Sequence, residues 1–145
     1  MTPQDRARHV AAHMWAADPA STWLGMELGE MDEGRATLTL TVAPHHLNGH
    51  GICHGGVIFA LADSAFAFAC NSRNQSTVAQ HNTITYVSPA QLGDRLTATA
   101  HEINLTGRSG LTDVTVSNQD GAVIAAFRGA SRTVKGQVVA EEDIT

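Results

Sequence analysis

Hydrophobic and polar positions alternate most strictly over Arg35–Val42. Ala36, Leu38, Leu40 and Val42 fall on one side, and Arg35, Thr37, Thr39 and Thr41 on the other. Period two with threonines on the polar side predicts a strand with one buried face. The opposite pattern occupies Val57–Cys70, which is almost uninterruptedly apolar and rich in alanine. Its length and its alanines predict a helix rather than a strand. No hydrophilic stripe runs along it, so it needs cover on nearly all sides. A sheet on one side and a second subunit on the other would supply that cover.

The remaining pattern is weaker. Residues of about 4–17 predict a short N-terminal helix, in which Arg6–Ala17 carries Val10, Met14 and several alanines at helical spacing. Asp18-Pro19 ends it or starts the next turn. Thr22–Met31 places Leu24, Met26 and Leu28 on one face of an expected strand, and Asp32-Glu33-Gly34 turns the chain into the next. Later strands are expected at Thr77–Val87, Arg95–Leu105, Leu111–Ser117 and Ala122–Thr133. Pro89, Gly93-Asp94, Thr106-Gly107 and a hairpin turn at Asn118–Gly121 separate them. The phase slips around Ala100–Ile103, as at a bulge. The tail, about 137–145, ends acidic and is expected to fray. Two strands, a buried helix and four more strands make an α+β chain, with one antiparallel sheet on one long helix.

The 145 residues suit one domain, with no repeat and no linker. Formal net charge is −5 and there is no basic block, which argues against binding to nucleic acid or to an anionic membrane. No stretch has the length of a membrane span, and the N-terminus lacks a signal-type apolar core, so a cytoplasmic location is expected. In such a compartment Cys53 and Cys70 stay reduced, and their spacing fits no zinc motif. No His-x-Glu-x-x-His motif or close Cys/His cluster supports zinc, and the absence of Gly-x-Ser-x-Gly and Gly-x-x-x-x-Gly-Lys disfavours an α/β-hydrolase and a P-loop enzyme.

Chemistry concentrates around the apolar helix. Asp63 is the only charged residue of Gly56–Cys70. A buried carboxylate is costly unless paired, and such groups gather at active sites. It could serve as general base or nucleophile toward an acyl carbon, or be a structural carboxylate satisfied by Ser64, a threonine or backbone donors. Upstream lies Asn48-Gly49-His50-Gly51-Ile52-Cys53-His54-Gly55-Gly56. Gly55 and Gly56 open the helix, where amides lack intrahelical acceptors and can form an oxyanion hole. The alternative is a tight turn that needs glycine for its dihedrals. Asn48 can donate to a carbonyl or hold the loop, and His54 can cap the helix or touch substrate. Gly55 and Asp63 are roughly 12 Å apart along one helix axis. A two-fold dimer with antiparallel helices would bring Asp63 of one subunit to Gly55 of the other.

This constellation resembles the hotdog-fold acyl-CoA thioesterases, most closely the phenylacetate-degradation type (PaaI type). The resemblance runs from about Leu24 to Gly136. It is strongest over Leu47–Ser72 (LNGHGICHGGVIFALADSAFAFACNS) and continues in Tyr86–Ala100 and Phe127–Ser131. It implies a sheet wrapped around a long helix, and dimers that share active sites and commonly pair into tetramers. It also implies hydrolysis of an acyl-coenzyme A, with phenylacetyl or ring-hydroxylated phenylacetyl thioesters as substrates and with no metal and no cofactor. By position, Asp63 resembles the catalytic carboxylate and the Gly55 amide the oxyanion donor, with His54 and Asn48 in the same turn. A broader medium-chain or aromatic acyl-CoA thioesterase and a non-catalytic acyl-CoA-binding protein are the alternatives. Arg73, Arg108, Arg128, Arg132 and Lys135 are the cations from which a phosphate site could be drawn.

Overall fold

The computed structural model describes residues 1–143. Thr2 caps the first helix, α1 (Pro3–Ala16), by accepting from the Asp5 amide while Asp5 accepts from the Thr2 amide, a reciprocal capping box. Ala7, Val10 and Ala11 form its buried face.

The segment expected to be a strand from Thr22 begins instead as a short helix, α2 (Pro19–Leu24). Asp18 caps its start through the Ser21 amide, Pro19 occupies the first turn, and Gly25 ends it at φ 89°. These local stop and start signals override the alternation of Leu24, Met26 and Leu28. The strand itself, β1, covers only Glu27–Asp32.

The strands that follow are β2 (Arg35–Thr41), β3 (Thr77–Tyr86), β4 (Arg95–Thr106), β5 (Ser109–Ser117) and β6 (Val123–Thr133). They make one antiparallel sheet in the order β1-β2-β4-β5-β6-β3. The expected slip near Ile103 is a register shift of β4 on β5 between Glu102 and Asn104. The Asn118–Gly121 hairpin closes with the Asn118 amide donating to Ala122 O.

The long helix, α3 (Gly55–Cys70), starts two residues earlier than its apolar run. It lies across the inner face of the sheet. Leu61, Ala62, Ala65 and Ala69 are fully buried, as are Leu38, Leu40, Leu96 and Ala98 beneath them. Packing is tightest where Phe66 crosses β6. A Cβ added to Gly129 would come within 2.7 Å of the Phe66 ring.

The opposite face of α3 is less covered than its composition suggests. Gly56 is exposed, and Phe59, Ala60, Asp63, Ser64 and Ala67 are half-buried. α1 and α2 cover part of this face, with the Trp15 and Phe68 rings 6.4 Å apart. The tail does not simply fray. Asn74 holds Val139 at both backbone groups, receiving its amide hydrogen and donating to its carbonyl, and Val139 is buried. Residues 144 and 145 of the expected frayed tail lie outside the described residues. Among the described residues no helix is long and apolar enough to cross a membrane.

Candidate active site

The loop before α3 is built on Asn48. Its Oδ1 accepts from the His50 amide at 2.9 Å and the Ile52 amide at 3.3 Å, while its own amide donates to Ile52 O. Gly51 takes φ 77° inside this turn, a conformation that favours glycine. Asn48 therefore holds the loop, and its side-chain NH2 has no acceptor among the described residues.

His54 is the N-cap of α3. Its Nδ1 accepts from the Gly56 amide at 2.8 Å, which leaves the imidazole hydrogen on Nε2. The amides of Val57 and Ile58 both donate to His54 O. The Gly55 amide is thus the one left at the helix start with no acceptor among the described residues. Gly55 and Asn48 line one cleft of about 440 Å³, with Ile52, Ile58, Tyr86 and Val87 in its walls. Two free N–H donors in a mostly apolar cleft suit a developing oxyanion.

Tyr86 was not singled out from the sequence. Its hydroxyl donates to Gly55 O at 2.8 Å and ties the start of α3 to the end of β3. Burial pushes its phenol up from the usual value.

Asp63 is reached from a different side. It is half-buried and lines a cavity of about 330 Å³ between α3 and the α1–α2 segment, lined also by Met14, Leu24, Met26 and Phe68. Its partner is neither Ser64 nor a backbone donor but Asn82 of β3, whose Nδ2 donates to Asp63 Oδ1 at 3.0 Å. Burial pushes the carboxyl up, and the Asn82 hydrogen bond partly offsets it. Asn82 sits in a polar run, Gln80–Thr85, that carries no local sign of which residue meets α3. Its role becomes visible only once β3 is placed beside the helix.

Within one chain, then, Asn48, His54 and Gly55 come together and Asp63 does not join them. Cys53 and Cys70 are free and buried, and burial pushes their thiols up to about 11 and about 12. Neither is a nucleophile near neutral pH. Of the cations, Arg128 forms a two-pronged pair with Asp113, and Arg73 pairs with Glu102 and Glu33.

Comparison with known proteins agrees with the fold. The profile of the Thioesterase superfamily matches residues 50–125. The acyl-coenzyme A thioesterase PaaI of Escherichia coli K12 is 42% identical over 136 residues, covering 94% of this chain and 97% of that protein. The structure of the E. coli PaaI protein from the phenylacetic acid degradation operon superposes with a TM-score of 0.92 at 40% identity, over 94% of this chain and 99% of that one. A Streptococcus pneumoniae hypothetical thioesterase with coenzyme A superposes with a TM-score of 0.79 at 25% identity, over 86% of this chain and 96% of that one. The chain belongs to the thioesterase superfamily, as a hotdog-fold acyl-CoA thioesterase of the PaaI type.

Proposed function

We propose that the protein hydrolyses phenylacetyl-CoA, or its ring-hydroxylated forms, to the free acid and coenzyme A in cytoplasmic phenylacetate degradation. It works as a homodimer with shared active sites, assembled into a tetramer. One observation carries the reading: the free Gly55 amide and the Asp63 carboxylate open into separate cavities of a single chain. A second α3, packed antiparallel on the half-covered face, supplies the missing half of each site.

Asp63 acts as general base. Asn82 engages one carboxylate oxygen, which leaves the other to take a proton from water. The water oxygen bonds to the thioester carbonyl carbon. The carbonyl oxygen gains the electron pair and is held by the Gly55 amide and the Asn48 NH2 of the other subunit. Collapse re-forms the carbonyl, breaks the carbon–sulfur bond and expels the coenzyme A thiolate, which takes the proton from Asp63. His54 positions the turn rather than moving a proton, since its Nδ1 is occupied by the Gly56 amide.

The burial that raises the Asp63 pKa makes its carboxylate a stronger base. Of the five cations drawn from the sequence, Arg108, Arg132 and Lys135 have no carboxylate partner among the described residues and stand as candidates for the coenzyme A phosphates. The test is steady-state coenzyme A release from phenylacetyl, hydroxyphenylacetyl, benzoyl, short-chain and medium-chain thioesters, with an Asp63→Asn protein of native oligomeric state in parallel. Preference for arylacetyl thioesters, lost in the variant, is the expected result. Slow, unselective release unaffected by the substitution overturns the proposal.

A further inference from the structure

Asp63 shares its cavity with a hydrogen-bonded chain that the hydrolytic steps do not use. Asp18 Oδ2 accepts from Ser21 Oγ at 2.7 Å, and Ser21 Oγ lies 3.2 Å from Ser64 Oγ. All three residues line the cavity with Asp63. Ser21 is only 3% exposed.

Proton bookkeeping sets the direction of this chain. A serine hydroxyl has one hydrogen and two lone pairs. Ser21 gives its hydrogen to the Asp18 carboxylate, a charge-assisted bond stronger than a neutral one. Ser64 is then the donor to Ser21. The far end of the chain, Ser64 Oγ, therefore offers lone pairs and no hydrogen. It can accept a hydrogen bond from a ligand but cannot give one.

The same carboxylate anchors the chain. Asp18 Oδ1 caps α2 by accepting from the Ser21 amide at 3.0 Å, so the polarity of the hydroxyl pair is tied to the folding of α2. Around this polar end the cavity is walled by Met14, Leu24, Met26, Ala60 and Phe68. A dry apolar cavity of about 150 Å³ is enough for benzene. The 330 Å³ here accommodates a substituted ring on an acetyl arm, with Asp63 in the wall.

We infer that Ser64 is a specificity-determining residue that selects acyl groups bearing a hydrogen-bond donor on an aromatic ring, with Ser21 and Asp18 positioning it. The inference rests on the thioesterase reading above and adds the residues that discriminate within the arylacetyl class. A ring hydroxyl donates to Ser64 Oγ. A ring methoxy group can only accept and meets an acceptor. An unsubstituted ring leaves Ser64 with an unfilled lone pair in an apolar cavity, a penalty sites of this kind use to reject analogues.

The experiment measures kcat/KM for phenylacetyl-CoA and for its 3- and 4-hydroxy and 3- and 4-methoxy derivatives, on wild type, Ser64→Ala and Ser21→Ala. Alanine at position 64 suits the helix, so Ser64→Ala is expected to fold. Wild type should favour at least one hydroxylated thioester over both its methoxy analogue and the unsubstituted ring by about tenfold, the worth of one good hydrogen bond. Ser64→Ala should bring the hydroxy-to-unsubstituted ratio close to one. In Ser21→Ala the Ser64 hydrogen is released, and discrimination against methoxy should relax. A ratio unchanged in Ser64→Ala overturns the inference, as does an equal fall for every thioester, which would mark Ser64 as merely structural. Release by wild type without any hydroxyl preference overturns this inference alone. No release from any thioester, aromatic or aliphatic, overturns the parent reading with it.

Discussion

Asn82 donates through Nδ2 to Asp63 Oδ1 at 3.0 Å, while its own Oδ1 is buried with no partner among the described residues. The bond joins β3 to the half-covered face of α3, and it opposes the burial that raises the Asp63 pKa. Removing it should therefore push the carboxyl further up. In Asn82→Ala the acid limb of the kcat/KM profile is expected at higher pH than in wild type, because the base is protonated sooner as pH falls. A limb that stays in place would show that Asn82 does not tune Asp63.

Asp63→Asn should separate activity from stability. Loss of a general base lowers the rate by about 10²–10⁴-fold. Stability should move the other way. The folded-state carboxyl titrates above its ordinary value of 3.8. Ionisation thus costs the folded state, and the group's contribution is full below the unfolded pKa and lost as pH rises through the folded one. The variant escapes that loss. Denaturant unfolding at one protein concentration should find it more stable than wild type at neutral pH, with the advantage gone below 3.8. Equal stability at neutral pH would show that burial does not dominate at this carboxylate.

The oxyanion role of Gly55 can be isolated with a pair of substitutions. Gly55 is the first residue of α3, where proline is tolerated, and His54 at ψ 133° already has the extended conformation proline demands of its predecessor. Gly55→Pro removes the N–H and keeps the helix. Gly55→Ala keeps the N–H and adds a Cβ 3.1 Å from the Tyr86 ring, which must give slightly. The difference in kcat between the two variants is expected at about 10²–10³-fold, the cost of one oxyanion donor. Equal rates would remove the Gly55 amide from the mechanism.

A shared site also predicts complementation. Gly55→Pro and Asp63→Asn damage opposite halves of each site, so a mixed dimer has one intact site and one doubly impaired site. Unfolding and refolding the two variants together in equal amounts should restore about a quarter of wild-type activity, since half of the dimers are mixed and each has one working site. Activity no higher than that of the separate variants argues that each site lies within one chain. Light scattering that finds only monomer would sink the shared site outright.

Gly129→Ala tests the packing beneath the site. The new Cβ would lie 2.7–2.8 Å from three atoms of the Phe66 ring, which is 1% exposed and has nowhere to retreat. Overpacking of this kind costs about 1–3 kcal/mol, readable as a lower denaturation midpoint. A midpoint equal to that of wild type would mean that the core yields at Phe66.

Much of the fold was legible because its signals are periodic and local. The alternation of Ala36, Leu38, Leu40 and Val42 returns as a row of buried side chains along β2 and just past its end, and the nearly continuous apolarity of Val57–Cys70 returns as α3. His54 is the cap that its place before two glycines suggested. The alternation of Leu24, Met26 and Leu28 misled, because Asp18, Pro19 and Gly25 start and stop a helix across it. The tail misled because its anchor, Asn74, is 65 residues from Val139 in sequence.

The strand and helix periods, the glycine turn, the lone carboxylate and the family resemblance all follow from the order of residues along the chain. The meeting of Asn82 with Asp63, the tie from Tyr86 to Gly55, and the hydrogen-bonded chain of Asp18, Ser21 and Ser64 come from the packing of distant elements. The reason is physical. Periodicity reports which face of an element is buried, while a polar partner is chosen by how elements pack side by side. Asn82 and Ser21 are chemically unremarkable until β3 and α2 are laid against α3.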